Sequence, residues 1–142
     1  MLAVRDESHP KCLWIYNPLT SKLLSLIVQL ENISSARWRP TAQTVLAFCT
    51  GTSKVYFWRP SVLSSDGGEV TSIDVNSSGS SKDQTPIKIG ITSIQWSSDG
   101  THILLKGKEA YVACQYSFNA DNESYFQKNL LGEVENENII VL

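Results

Sequence analysis

Apolar residues in this chain fall into short runs separated by polar, turn-forming clusters. Leu13-Trp-Ile-Tyr16, Val45-Leu-Ala-Phe48, Val55-Tyr-Phe-Trp58, Ile103-Leu-Leu105 and Tyr111-Val-Ala-Cys114 show the pattern. The runs are rich in β-branched and aromatic residues and are bounded by Gly, Pro, Ser or Asp, as strands joined by tight turns are. A helix is hard to sustain across Pro10, Pro18, Pro40, Pro60 and Pro86, because each proline removes a backbone donor. Leu23 to Leu30 is the one segment with a competing helical reading. It follows a strand and a turn at Pro18 to Ser21, so it is assigned to an outer strand. An all-β chain is predicted.

The runs repeat. Ile33-Ser-Ser-Ala-Arg-Trp38 and Ile91-Thr-Ser-Ile-Gln-Trp96 match at an offset of 58 residues. Each leads into a turn, Arg39 to Ala42 or Ser97 to Gly100. An apolar run, a Gly-containing turn near Gly51 or Gly107, and a second apolar run follow. Leu13-Trp-Ile-Tyr-Asn17 precedes Val55-Tyr-Phe-Trp-Arg59 by 42 residues. A period of roughly 40–45 residues is one four-stranded propeller blade. The prediction is a partial β-propeller of about two to three four-stranded antiparallel blades. Residues 1–60 hold a partial blade plus most of a second, and 87–118 a further blade. Residues 61–86 are rich in Ser and Gly and are read as a flexible insertion, with a short strand near Ile73 and Val75. Residues 119–142 are an acidic tail or a closing strand. Met1 to Val4 reads as the second strand of a blade with no first strand before it. The chain is therefore expected to be the C-terminal part of a longer protein. Trp38 and Trp96 end innermost strands, Trp58 ends a third strand, and Trp14 takes the place of Tyr56. All four are predicted to pack in the blade core.

Composition narrows the function. The net charge is −2 and the cations are scattered, so nucleic-acid binding has no electrostatic support. The longest apolar stretch, Leu23 to Leu30, is interrupted by Ser25 and Gln29 and falls far short of the ~20 residues of a membrane helix. A soluble, cytoplasmic chain is expected. Cys12, Cys49 and Cys114 lie far apart in strand-like runs and are expected as reduced, buried thiols. With only His9 and His102 beside them, zinc ligation is not expected. The glycosylation triplets at Asn32, Asn76 and Asn122 read as chance matches.

Catalytic patterns are weak. Gly51-Thr-Ser53 lacks the rest of a Gly-x-Ser-x-Gly elbow, and Gly67-Gly68 lacks the Gly-Lys-Ser/Thr of a phosphate loop. No catalytic, metal or cofactor residue is assigned, and no cofactor or small-molecule substrate is expected. Three surfaces are candidates for protein partners. The first is the loop carrying Arg5, Asp6, Glu7 and His9. The second is 61–86, whose serines would gain charge on phosphorylation. The third is Asn119 to Leu142, acidic at Glu133, Glu135 and Glu137 and ending Ile139-Ile-Val-Leu142.

The pair of positions closing each third strand reads Tyr16-Asn17, Trp58-Arg59 and Cys114-Gln115. WD-repeat proteins carry Trp-Asp there, so these blades resemble degenerate members of that class. No Gly-His dipeptide precedes them, and the Asp-His-Ser/Thr-Trp network of the class is not expected. Leu13-Trp-Ile-Tyr-Asn17, Trp38-Arg-Pro40, Cys49-Thr-Gly51 and Val55-Tyr-Phe-Trp-Arg-Pro60 carry a closer resemblance. They are similar to the last blades of the family of the WD-repeat protein antisense to tumour protein 73, also called WD repeat-containing protein 8. The resemblance runs from Leu2 to Ser117. It implies a non-catalytic scaffold at the centrosome or spindle pole, bound to a coiled-coil anchoring protein. Roles in anchoring microtubule minus ends, spindle assembly and cilium formation are implied with it. The alternatives are a WD-repeat adaptor in ubiquitin ligation, RNA processing or trafficking, and a propeller-type enzyme.

Overall fold

A computed structural model describes residues 1–63, 67–76 and 89–116. Among them are ten strands in three antiparallel sheets. The first sheet has the order β1 (Leu2–Val4), β2 (Cys12–Asn17), β3 (Lys22–Val28). The second runs β4 (Ser35–Trp38), β5 (Leu46–Cys49), β6 (Lys54–Pro60), β7 (Gly68–Asp74). The third runs β8 (Ser93–Trp96), β9 (His102–Lys106), β10 (Tyr111–Gln115). Sequential strands are neighbours throughout. The four-stranded second sheet shows the full unit, and among the described residues the three strands of the first sheet match β5, β6 and β7 in order.

The second sheet is the middle layer, and its sequence says why. All four residues of β5, Leu46-Ala-Phe-Cys49, are buried. An antiparallel strand with apolar residues on both faces must be covered on both. Leu46 and Phe48 point toward the first sheet and pack with Leu13, Ile15, Ile27, Ile33 and Trp58. Ala47 and Cys49 point the other way, into a larger core with Phe57, Ile91, Ile94, Ile103 and Leu105. The two cores therefore lie on opposite faces of one sheet. Paired backbone hydrogen bonds tie the second sheet to the segment entering the third: Gly51 N to Ile91 O at 2.9 Å and Ile91 N to Thr52 O at 2.8 Å.

The reading of 61–86 as a flexible insertion needs correction. Seven of its residues form β7, paired along its whole length with β6 from Lys54↔Asp74 to Pro60↔Gly68. The expected short strand near Ile73 begins earlier, and Val75 lies just past its end. Composition misleads here because β7 is the outer edge, where one side of the strand meets solvent. Glu69, Val70 and Ser72 are exposed, while Ile73 leans on the core. Residues 64–66 and 77–86 of that stretch lie outside the described residues, as does the tail 119–142.

The outer strand expected within Leu23 to Leu30 is β3, at the outer edge of the first sheet. Its pairing with β2 slips between Ile15 and Tyr16, so Leu24 is an extra residue. The bulge turns Ser25 toward the second sheet and leaves Leu23 and Leu26 on the far side.

Candidate functional site

The tryptophans join the layers. Trp58 is fully buried, and its Nε1 donates to Ser25 Oγ of β3 at 3.0 Å, across the first interface. Trp38 is half-buried and meets Trp58 edge-on, with ring centroids 6.1 Å apart. Trp96 makes the corresponding bridge at the second interface: its Nε1 donates to Arg37 O of β4 at 3.1 Å. The indole of Trp96 also meets Phe57 and Tyr116. Trp14 differs from the expectation of core packing. It is half-buried, belongs to neither core, and faces away from the second sheet.

Arg39 follows β4 and closes the second interface from one end. Its Nε donates to Gly100 O at 2.7 Å and its guanidinium lies 4.7 Å from the centre of the Tyr116 ring. Burial pushes the Tyr116 phenol above its ordinary range, partly offset by the charges of Arg59 and Arg39. Gly100 sits at φ 68°, in the left-handed region, and a Cβ there would lie 2.5 Å from Thr41 Cγ2. The chain can thus approach Arg39 only as glycine.

The turn that contains Gly100 brings Ser97, Asp99, Thr101 and His102 together. Asp99 accepts from Ser97 Oγ, from Thr101 N at 3.0 Å and from Thr101 Oγ1 at 2.8 Å. These hydrogen bonds, Ser97 first, hold its carboxyl far below the ordinary carboxylate range. The Ser97–Asp99 pair closes the turn. His9 lies in the loop between β1 and β2, and His102 begins β9. Among the described residues no group of three or more His, Cys, Asp or Glu is placed to hold a metal ion. No helix among them is long and apolar enough to cross a membrane.

None of the three cysteines is in a disulfide. Cys49 and Cys114 are buried, and burial raises the Cys49 thiol above its ordinary range despite a contact with Ser34 Oγ. Cys12 is only half-buried, contrary to the expectation for all three, because it lies on the face of the first sheet opposite the second.

The loop from Arg5 to Pro10 divides its residues between two tasks. Arg5 turns inward and its guanidinium donates to the carbonyl of Ile33, which leads into β4. Arg5 thus fastens the first sheet to the second. Asp6 accepts from Ser8 N at 3.0 Å and contacts His9 Nδ1 at 3.2 Å. Those two contacts, the Ser8 amide first, lower its pKa. His9 in turn meets the edge of Trp14 at 6.0 Å. Asp6, Glu7 and His9 are exposed, and they form a short, ordered, mixed-charge rim.

Beside this rim lies a surface that sequence reading missed. Leu2, Val4, Cys12, Trp14, Tyr16, Leu23, Leu26 and Val28 share the face of the first sheet opposite the second. Leu2, Leu26 and Val28 are 49%, 51% and 65% exposed. The signal was present in β2, whose Leu13-Trp-Ile-Tyr is apolar at every position and so implies cover on both faces. The outer face of the third sheet is different. It presents Ser93, Gln95, His102, Leu104, Lys106, Tyr111, Ala113 and Gln115 and is mainly polar.

No protein-family model matches the chain. A stretch of 59 residues is 39% identical to the Mus musculus protein called WD repeat-containing protein WRAP73. The stretch is 42% of this chain and 13% of that relative's length. Together with three stacked antiparallel sheets of three or four strands, the likeness identifies the fold as part of a WD40-type β-propeller.

Proposed function

We propose that the chain is part of a non-catalytic WD-repeat scaffold that holds protein partners at the centrosome or spindle pole. The likeness to WD repeat-containing protein WRAP73 carries this reading. The family resemblance of Leu13 to Pro60 adds the expected location, with a coiled-coil anchoring protein as partner. The geometry suits docking. Rigid stacked sheets, bridged by Trp58 and Trp96, present ordered loops at their ends, where scaffolds of this type engage partners. The rim formed by Asp6, Glu7 and His9 is the contact we assign to the partner. It is exposed, and Asp6 prearranges it at little ordering cost.

The test is localisation and proximity labelling of the tagged chain in dividing cells. Concentration at spindle poles and labelling of coiled-coil pericentriolar proteins are expected. The double variant Glu7→Lys, His9→Ala should lose that labelling while its melting temperature stays unchanged. A diffuse distribution, with no enrichment of such proteins, would refute the proposal.

A further inference from the structure

We infer that Arg37 and Arg39 form a docking site for an acidic segment of another protein, bound extended with carboxylates at alternate positions. The site lies where β4 ends. The loop that carries Asp6, Glu7 and His9 is fastened through Arg5 to Ile33, just before β4 begins. The two surfaces are therefore separate, and neither assignment depends on the other. The ladder fixes the side on which the arginines stand. Arg37 is opposite Ala47, and Arg39 N donates to Val45 O at 2.9 Å, just past the end of the strand. Ala47 and Val45 both belong to the core on the side of the third sheet, so both arginines are directed to that side. The second sheet is packed on both faces, yet Arg37 is exposed at its innermost strand.

Three observations select an acidic peptide as the occupant. The first is charge. Among the described residues neither guanidinium meets a carboxylate: Arg37 Nη1 donates to Ala36 O at 3.1 Å, and Arg39 donates to Gly100 O and, at 2.8 Å, to Gln43 Oε1. Asp99, next to Gly100 in the chain, commits its carboxylate to Ser97 and Thr101 instead. The second is order. Gly100, Gln43 and the Tyr116 ring hold the Arg39 fork in place, so it loses little freedom when a carboxylate binds. The third is spacing. Alternate residues of an extended chain are about 6.5–7 Å apart, so alternate carboxylates of an extended peptide match two arginines two residues apart. A nucleic acid is a poorer fit, because it needs many cations and this chain has a net charge of −2.

The experiment is fluorescence anisotropy with the whole chain and a fluorescein-labelled peptide of alternating glutamate and glycine. A serine–glycine peptide and an oligouridylate serve as controls. The expected result is saturable binding of the glutamate peptide alone, weakening as sodium chloride is added. Arg37→Ala should weaken binding by about tenfold or more, and Arg37→Glu should abolish it. Both variants should keep the wild-type melting temperature, because Arg37 is exposed and its guanidinium bonds only to the adjacent backbone. Arg37→Lys should bind between wild type and Arg37→Ala, since an ammonium keeps the charge and loses the fork. The double variant Glu7→Lys, His9→Ala should bind the peptide as wild type does, which separates this site from the rim. Failure of the whole chain to bind the peptide overturns the inference, including the case in which Glu133, Glu135 and Glu137 of the same chain fill the site. So does equal binding of the oligouridylate, or a glutamate peptide held as tightly by Arg37→Glu as by wild type.

Discussion

Gly68→Ala tests how closely the outer strand of the second sheet is fitted to the first interface. Gly68 lies two residues before Val70, the partner of Trp58 in the ladder, and on the same face. A Cβ at position 68 would stand 2.2 Å from Trp58 Nε1, 2.3 Å from Cε2 and 2.5 Å from the carbonyl oxygen of Arg59. Ordinary contacts between such atoms are about 3.5–4.0 Å, so the indole must shift by more than about 1 Å. It has nowhere to go: Trp58 is fully buried and its Nε1 is already committed to Ser25. Overpacking of this kind costs about 1–3 kcal/mol, and loss of the Ser25 bond adds about 1 kcal/mol. Removing a glycine from a strand works the other way by about 0.4–1 kcal/mol through the unfolded chain. The net expectation is a destabilisation of about 2 kcal/mol. Urea unfolding followed by circular dichroism measures it for wild type, Gly68→Ala, Trp58→Phe and the double variant. Phenylalanine lacks the pyrrole atoms that the new Cβ would strike. The cost of Gly68→Ala should therefore fall by at least about 1 kcal/mol in the Trp58→Phe background, leaving only the conflict with the Arg59 carbonyl. A neutral or stabilising Gly68→Ala, or the same cost in both backgrounds, would refute the account.

Other parts of the structure give sharper, smaller tests. Arg39→Ala should destabilise by about 2 kcal/mol in the same denaturation assay, and Arg39→Lys should recover little of it, because an ammonium cannot reproduce both the bond to Gly100 and the contact with Tyr116. Asp99→Asn should lower the melting temperature at neutral pH. The folded-state pKa of Asp99 is depressed, so its contribution is full above the ordinary value of 3.8 and is lost as pH falls below it. The gap between wild type and Asp99→Asn should accordingly narrow on acidification from pH about 4 downward, and a gap independent of pH would contradict the turn described. The raised pKa of Tyr116 has the opposite sense: stability tied to its neutral phenol persists below pH 10.0 and falls as pH rises through the folded value. Absorbance titration of wild type against Tyr116→Phe should show that the missing phenol is one that ionises late.

The sequence by itself determined the class of fold. Short β-branched and aromatic runs, broken by proline and glycine, leave little but strands, and the 42- and 58-residue offsets place them in repeated units. It also marked the large aromatics: Trp38 and Trp96 end β4 and β8, whereas Trp58, expected at a strand end, lies two residues inside β6. What it could not decide was which face each residue would meet, because a strand alternates its side chains and the neighbour on each face comes from elsewhere in the chain. Cys12 and Cys49 read alike as apolar-run cysteines, yet one is half-buried on the outer face of the first sheet and the other is buried in the middle of the stack. Arg5 and Glu7 read alike as loop charges, yet only Arg5 reaches across to the carbonyl of Ile33. Gly68 read as part of a flexible Ser/Gly stretch, because only the position of the Trp58 ring reveals why the residue must be small. The outer apolar face of the first sheet follows the same logic. Its residues are ordinary strand residues in sequence, and they share one outer face only because the bulge at Leu24 and the packing of Leu13 and Ile15 assigned the other face to the core.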